Sequence, residues 1–240
     1  MILSLCVFSE CLETLQSTPK GLELEIDTLV NSYLEAYKIP GVVVLVGHRE
    51  SISFHKAYGS IDGKMKMPKD AIFDVASITK LFSATALLKS LEKNKLPVEG
   101  RVSLALKEYQ RSETAELRFE DLLRHESGLR PSMHSSFYRL NTKDAWSAIL
   151  ATDPEFKYGE FKYSDLNYLV LGQALEKLEG IKLDQAVKSL ILEPLKLEST
   201  SFRPMKNLPS CKEKCVPTST NYSLGQVHDP TSRHLGGVAG

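Results

Sequence analysis

The chain has 240 residues, 42% of them hydrophobic and 25% charged, with 14 Gly and 11 Pro. That composition fits one large globular domain or two small ones. Thirty basic residues balance thirty acidic ones, which argues against a nucleic-acid partner, and no apolar run approaches the ~20 residues of a spanning helix.

Residues 1–21 read as a lead-in. The opening MILSLCVF is apolar but lacks a basic start, so it resembles a clipped signal segment more than a whole one. Export would place the protein in the periplasm or cell envelope, and lack of export in the cytoplasm. Residues 22–38 place Leu22, Ile26, Leu29, Val30, Tyr33, Leu34 and Tyr37 on one stripe of an amphipathic helix. Ile39-Pro40-Gly41 stops it. GVVVLVG at 41–47 predicts a β-branched strand buried on both faces. Residues 51–58 alternate at Ile52 and Phe54 and predict a second strand, paired with the first as a hairpin.

Residues 73–93, FDVASITKLFSATALLKSLEK, are the stretch around which the rest is organised. They predict a long helix capped by Asp74 and apolar on more than one side from Leu81 to Leu91. Ser77 and Lys80 share one face of its first turn. A Ser hydroxyl is a weak nucleophile until a base takes its proton. A Lys can be that base where desolvation and the helix N-terminus depress its pKa. The Ser backbone N–H at a helix start can also help hold an oxyanion. Ser-x-x-Lys occurs four times, at Ser17/Lys20, Ser53/Lys56, Ser77/Lys80 and Ser90/Lys93. The first lies in a polar lead, the second in a strand, where i and i+3 face opposite ways, and the fourth at an exposed helix end. Only Ser77/Lys80 has a context that suits the chemistry.

Helices are further predicted at 119–125, 143–151, 165–179 (stopped by Gly180) and 183–192 (stopped by Pro194), with loops between them and from 204 onward. Tyr163 stands just before the 165–179 helix, where its phenol can point into a cleft and shuttle a proton. As a bare motif it reads sooner as an aromatic plug on a loop, with Asp165 as a plain N-cap. His228-Asp229-Pro230 reads as a turn with Asp229 bound to nearby backbone. His125 and His228 lack the Gly-x-Ser-x-Gly elbow of a Ser–His hydrolase. The four Cys form two close pairs, Cys6/Cys11 and Cys211/Cys215; the Cys-x3-Cys at 211 could bind a metal, but with no His or Cys partner close by it reads sooner as unpaired or incidental thiols near a loop. The six His show no metal-ligand spacing.

Five segments in order carry a resemblance: PGVVVLVGHRESISFHKAYG, IFDVASITKLFSATALLKSLEKNKLPVEGRVS, FEDLLRHESGL, FKYSDLNYLVLG and VHDPTSRHLGGVAG. Together they resemble the serine β-lactamase-related hydrolases, in the branch of class C β-lactamases, D-alanyl-D-alanine carboxypeptidases and family VIII carboxylesterases. The resemblance covers residues 22–240. It implies an α/β (α+β) fold of the β-lactamase/transpeptidase type, an antiparallel sheet with a helical region. It implies Ser77 as the acylated nucleophile, Lys80 as its base partner and Tyr163 as the proton shuttle. It implies an amide, ester or β-lactam acyl substrate, either a small molecule or a peptidoglycan peptide, and neither cofactor nor metal.

Two departures qualify it. Asp165 stands where class C enzymes carry Asn; it lacks an amide donor, so its contact with Lys80 or substrate must differ, which favours esterase-like or peptidase-like relatives. The family's third motif, Lys or His, then Thr or Ser, then Gly, lies on a strand downstream of LGGVAG. His234-Leu235-Gly236 and Lys157-Tyr158-Gly159 match it in letters but stand in the wrong places. The expectation is an N-terminal part of a longer hydrolase: a fragment, a split gene product needing a separate C-terminal half, or a pseudogene. The alternative to an enzyme is a non-catalytic remnant.

Overall fold

The computed structural model describes residues 20–49, 51–219 and 221–238. The lead-in with Cys6 and Cys11 lies outside them. In chain order the elements are α1 (Lys20–Tyr37), β1 (Gly41–His48), β2 (Ser51–Gly59), α2 (Thr79–Lys93), α3 (Phe119–Leu123), α4 (Thr142–Leu150), α5 (Asp165–Glu179), α6 (Leu183–Val187), α7 (Pro204–Asn207), α8 (Cys211–Lys214) and α9 (Pro230–His234). Short 3-10 turns sit at Ala76–Ile78, Val102–Leu104, Lys107–Gln110 and Ser135–Arg139, and a π-helical turn at Lys188–Leu192. The described residues divide into two compact units, one within 20–74 with 209–225, the other within 75–208 with 226–238.

The first unit is built on the predicted hairpin. β1 and β2 pair antiparallel from Gly41↔Gly59 to His48↔Ser51, with a bulge at Val46/Gly47. Two strands are the whole sheet among the described residues. The expectation that β1 is buried on both faces fails: Leu45 is 54% exposed and Val46 37%. With a single partner strand and one packed helix, α1, the β-branched run covers only part of its surface. Asp27 on α1 binds β2 twice, accepting from Tyr58 Oη at 2.6 Å and from Lys56 Nζ at 2.7 Å. The segment around α8 closes this unit through a parallel bridge between Ile72 and Cys215. Cys211 and Cys215 form a disulfide, correcting the expectation of unpaired thiols. One helical turn brings their Cα atoms to 4.6 Å, within bridging range.

The second unit is helical and carries no strand among its described residues. Its centre is α5, not α2. Leu166 through Gly172, with Ala174 and Leu175, are all buried, so α5 is covered all round. α2 instead buries one face, with Ser83, Ala86, Leu87, Ser90 and Leu91 inward. Leu81 and Leu88 stay exposed, so the expectation of burial on several sides fails for α2. α2, α3, α4 and α6 all pack on α5. Gly180 ends α5 in the left-handed conformation, as a helix-stopping Gly should. The predicted helix at 183–192 is α6 running into the π-helical turn. Asp229 caps α9 by accepting from Ser232 N–H at 2.6 Å, as the turn reading required.

Candidate active site

The site lies within the helical unit, where the N-terminal ends of α2 and α5 meet. α2 begins at Thr79, so Asp74 is not its N-cap residue; a 3-10 turn over Ala76–Ile78 precedes it and carries Ser77. Ala76 has φ +46°, a left-handed conformation that non-glycine residues rarely adopt. Such strain is held by its surroundings and concentrates at functional turns. Ser77 is exposed and Lys80 follows on the first turn of α2.

Four residues singled out from the sequence converge here. Ser77 Oγ lies 2.8 Å from Tyr163 Oη, and Lys80 Nζ donates to Ser77 Oγ at 3.2 Å. Lys80 Nζ also donates to Asp165 Oδ1 at 2.7 Å. Tyr163 presents its ring 5.2 Å from the ammonium, and Tyr168 does so at 5.6 Å. The Lys80 side chain is only 13% exposed and Asp165 41%. Desolvation works to lower the Lys80 pKa, but hydrogen bonds to Asp165 and Tyr163 and their charges win, and the pKa lies above its ordinary value. The sequence reading of a depressed Lys pKa therefore fails. The cause is Asp165, a carboxylate where an amide would leave desolvation less opposed.

Asp165 is the first residue of α5, with Ser164 as its N-cap. Two bonds fix this start. Ser164 Oγ donates to the Arg130 carbonyl at 2.6 Å, and Asp165 N–H donates to the Pro131 carbonyl at 3.0 Å. The turn HESGLRP is thus what α5 and Tyr163 are tied to.

That turn also holds residues the sequence reading passed over. Leu129 N–H donates to Ser127 Oγ at 3.1 Å, and Ser127 Oγ donates to Asn167 Oδ1 at 2.6 Å. Asn167 Nδ2 then lies 3.2 Å from His125 Nδ1, which also accepts from Ser164 N–H at 3.2 Å. Ser127 and Asn167 are fully buried. Their signal was available: Asn167 is a polar residue in the apolar run LNYLVLG, and a buried polar group must have partners. Gly128 sits at φ +76°, with the place of a Cβ only 2.4 Å from the Phe156 carbonyl oxygen. Only glycine fits there.

Among the described residues no group of His, Cys, Asp or Glu is arranged to hold a metal ion, and no helix is long and apolar enough to cross a membrane. Ser77, Lys80 and Tyr163 thus converge at one point, with the Ser77 hydroxyl in hydrogen-bond reach of both the Tyr163 phenol and the Lys80 amine. The chain belongs to the beta-lactamase family, whose sequence profile matches residues 26–210. It is similar to the protein flp of Staphylococcus aureus (strain NCTC 8325 / PS 47), 28% identical over 191 residues, covering 75% of this chain and 38% of that protein. In structure it is similar to FmtA from Staphylococcus aureus, with a TM-score of 0.69 and 27% identity, covering 95% of this chain and 64% of that one. It also shares its fold with a class C beta-lactamase, with a TM-score of 0.75 and 19% identity, covering 92% of this chain and 60% of that one. The fold is therefore of the β-lactamase type, and the chain spans about two fifths of flp's length.

Proposed function

We propose that this chain carries the nucleophile-bearing part of a serine hydrolase that acts through an acyl-enzyme on an amide, ester or β-lactam carbonyl. The observation that carries the reading is the joint contact of Ser77 Oγ with Tyr163 Oη at 2.8 Å and Lys80 Nζ at 3.2 Å. Lys80, with Asp165 as its counter-ion, is an ammonium and has no lone pair to offer. The Ser77 proton therefore passes to the Tyr163 oxygen as the phenol gives its own proton to the leaving group. The new bond is Ser77 Oγ to the acyl carbon, and the bond broken is acyl carbon to leaving group. Water returns by the reverse route: its proton passes through Tyr163 to Ser77 Oγ as the ester is hydrolysed. Lys80 stabilises negative charge on both oxygens throughout. In this reading Asp165 acts by holding Lys80 as well as by bordering the substrate.

A second reading is a non-catalytic remnant. It is favoured by a sheet of only β1 and β2 among the described residues, since the resemblance implies a further strand that supplies an oxyanion donor. Loss of such a donor typically costs about 10²–10³ in rate. Chromogenic ester and cephalosporin turnover, measured for wild type and Ser77→Ala, separates the two. Turnover that vanishes in Ser77→Ala supports the hydrolase. Background rates for both proteins, with no Ser77 adduct, support the remnant.

A further inference from the structure

We propose that His125 is a positioning residue for Tyr163, clamping the residues on either side of it and backing its ring. The proposal rests on the role given above to Ser77, Lys80 and Tyr163. The His125 carbonyl accepts from Lys162 N–H at 2.8 Å, and its Nδ1 accepts from Ser164 N–H at 3.2 Å. These are the two neighbours of Tyr163 in the chain. The imidazole lies against the phenol ring, centroids 4.6 Å apart and planes tilted by 35°. One residue thus fixes the backbone before and after Tyr163 and the plane of its side chain. His125 does this from a left-handed backbone, φ +60°, at the end of α3, a conformation with a cost for a residue other than glycine.

The hydrogen-bond directions set its protonation. A backbone N–H can only donate, so Leu129 N–H makes Ser127 Oγ an acceptor there. The one hydroxyl hydrogen of Ser127 then goes to Asn167 Oδ1. That turns the NH2 end of Asn167 to His125, where Nδ1 already accepts from Ser164 N–H. Nδ1 therefore carries no proton, and the ring is the neutral Nε2–H tautomer. A proton on Nδ1 would face two donors and release Ser164. The groups facing the ring are Lys80 from α2, Phe161, Tyr163 and Ser164 from the segment before α5, and Asp165, Asn167 and Tyr168 from α5 itself. Burial first, and the charge of Lys80 second, oppose an imidazolium, while Asp165 favours one; the balance lies below the usual histidine range. Acid thus opens the clamp, and Tyr163 loses its aim at Ser77.

Two measurements test this. In ¹⁵N-histidine spectra of the wild-type chain, His125 should show an unprotonated Nδ1 and a protonated Nε2, with a titration midpoint below 6.5. A proton on Nδ1, or a midpoint above that value, overturns the clamp. The rate at which a fluorophosphonate labels Ser77 should fall in acid with the same midpoint. His125→Phe, which keeps a ring but removes the acceptor, should slow labelling by about tenfold or more near neutral pH and abolish that acid limb. His125→Asn, which keeps an acceptor and tolerates the left-handed backbone, should recover most of the rate without the limb. A wild-type rate in His125→Phe, or a limb that survives in either variant, overturns the proposal. If wild-type Ser77 takes no label, the catalytic reading fails instead, and the tautomer measurement alone judges the clamp.

Discussion

Lys80 Nζ stands 2.7 Å from Asp165 Oδ1 and 3.2 Å from Ser77 Oγ, so the carboxylate holds the charge that faces the Ser77 hydroxyl. Asp165→Asn keeps the shape of the contact and removes the charge. The Lys80 pKa, raised in the wild type, should then fall, because desolvation opposes the ammonium with less resistance. The sign follows from the raised value. The pair stabilises the fold fully below the unfolded Lys pKa of 10.5 and loses that effect as pH rises through the folded value. The alkaline limb of Ser77 labelling should move to lower pH in Asp165→Asn, and β-lactam turnover should rise relative to ester turnover. A pH–rate profile of both variants on both substrates checks this; superimposable profiles count against any role for Asp165.

Gly128 is the point where the turn holding His125 touches the 154–156 segment. Its carbonyl accepts from both Glu155 and Phe156 N–H. Gly128→Ala adds a Cβ to a left-handed residue already against the Phe156 carbonyl. A loss of about 1–3 kcal/mol is expected from the backbone strain alone. Denaturant titration reads the stability, and Ser77 labelling should slow in parallel as the turn shifts.

Glu179 closes the far end of α2 onto α5. It accepts from Lys93 Nζ at 2.7 Å and from the buried Ser90 hydroxyl at 2.6 Å, and these bonds, Lys93's first, hold its pKa below the usual glutamate value. Glu179→Ala leaves the Ser90 hydroxyl buried without its acceptor, at a cost of about 1–3 kcal/mol. Ser90→Ala/Glu179→Ala should recover part of that loss, because no buried hydroxyl is left behind. Chemical unfolding of the single and double variants measures the recovery; strictly additive losses would place the effect elsewhere.

Asp27 ties α1 to β2 in the sheet-bearing unit. Its pKa is lowered by the hydrogen bond from Lys56 first and that from Tyr58 second. A depressed carboxylate stabilises above its unfolded pKa of 3.8 and loses that effect as pH falls through the folded value. Hydrogen exchange of the β2 amides should therefore be faster in Asp27→Asn than in wild type near neutral pH. The gap should close in acid. A gap that does not depend on pH would mean that the bond holds by shape and not by charge.

The elements that could be read from the sequence were those whose signal is local. The helix over Leu22 to Tyr37, the hairpin and the start and stop of α5 at Asp165 and Gly180 all appear where periodicity and helix-stopping residues placed them, although Leu29, Tyr33 and Tyr37 of the α1 stripe stay exposed. What escaped was set by neighbours distant in the chain. The apolar run of α2 reads as a helix buried on several sides, yet α5 covers only one face of it. The run of β1 reads as doubly buried, yet one strand and one helix cover it only in part. Cys211 and Cys215 read as incidental, yet a helical turn joins them. That Ser77, Lys80 and Tyr163 would stand together was legible, because Ser77 and Lys80 are three residues apart at the start of α2 and Tyr163 stands just before α5. The raised Lys80 pKa was not, since it depends on which side of a carboxylate 85 residues away in the chain meets the ammonium. His125, Ser127 and Asn167 stood in quoted motifs, but only their hydrogen-bond directions give them a role.

Mapping the site of covalent modification tests the central claim most directly. The protein is treated with a fluorophosphonate or a penicillin-type probe, digested and analysed by mass spectrometry. One adduct is expected, on Ser77, absent in Ser77→Ala and formed more slowly by a factor on the order of 10² or more in Lys80→Ala and in Tyr163→Phe. An adduct on Ser17, Ser53 or Ser90 with Ser77 unmodified, or wild-type rates in Lys80→Ala and Tyr163→Phe, would contradict it.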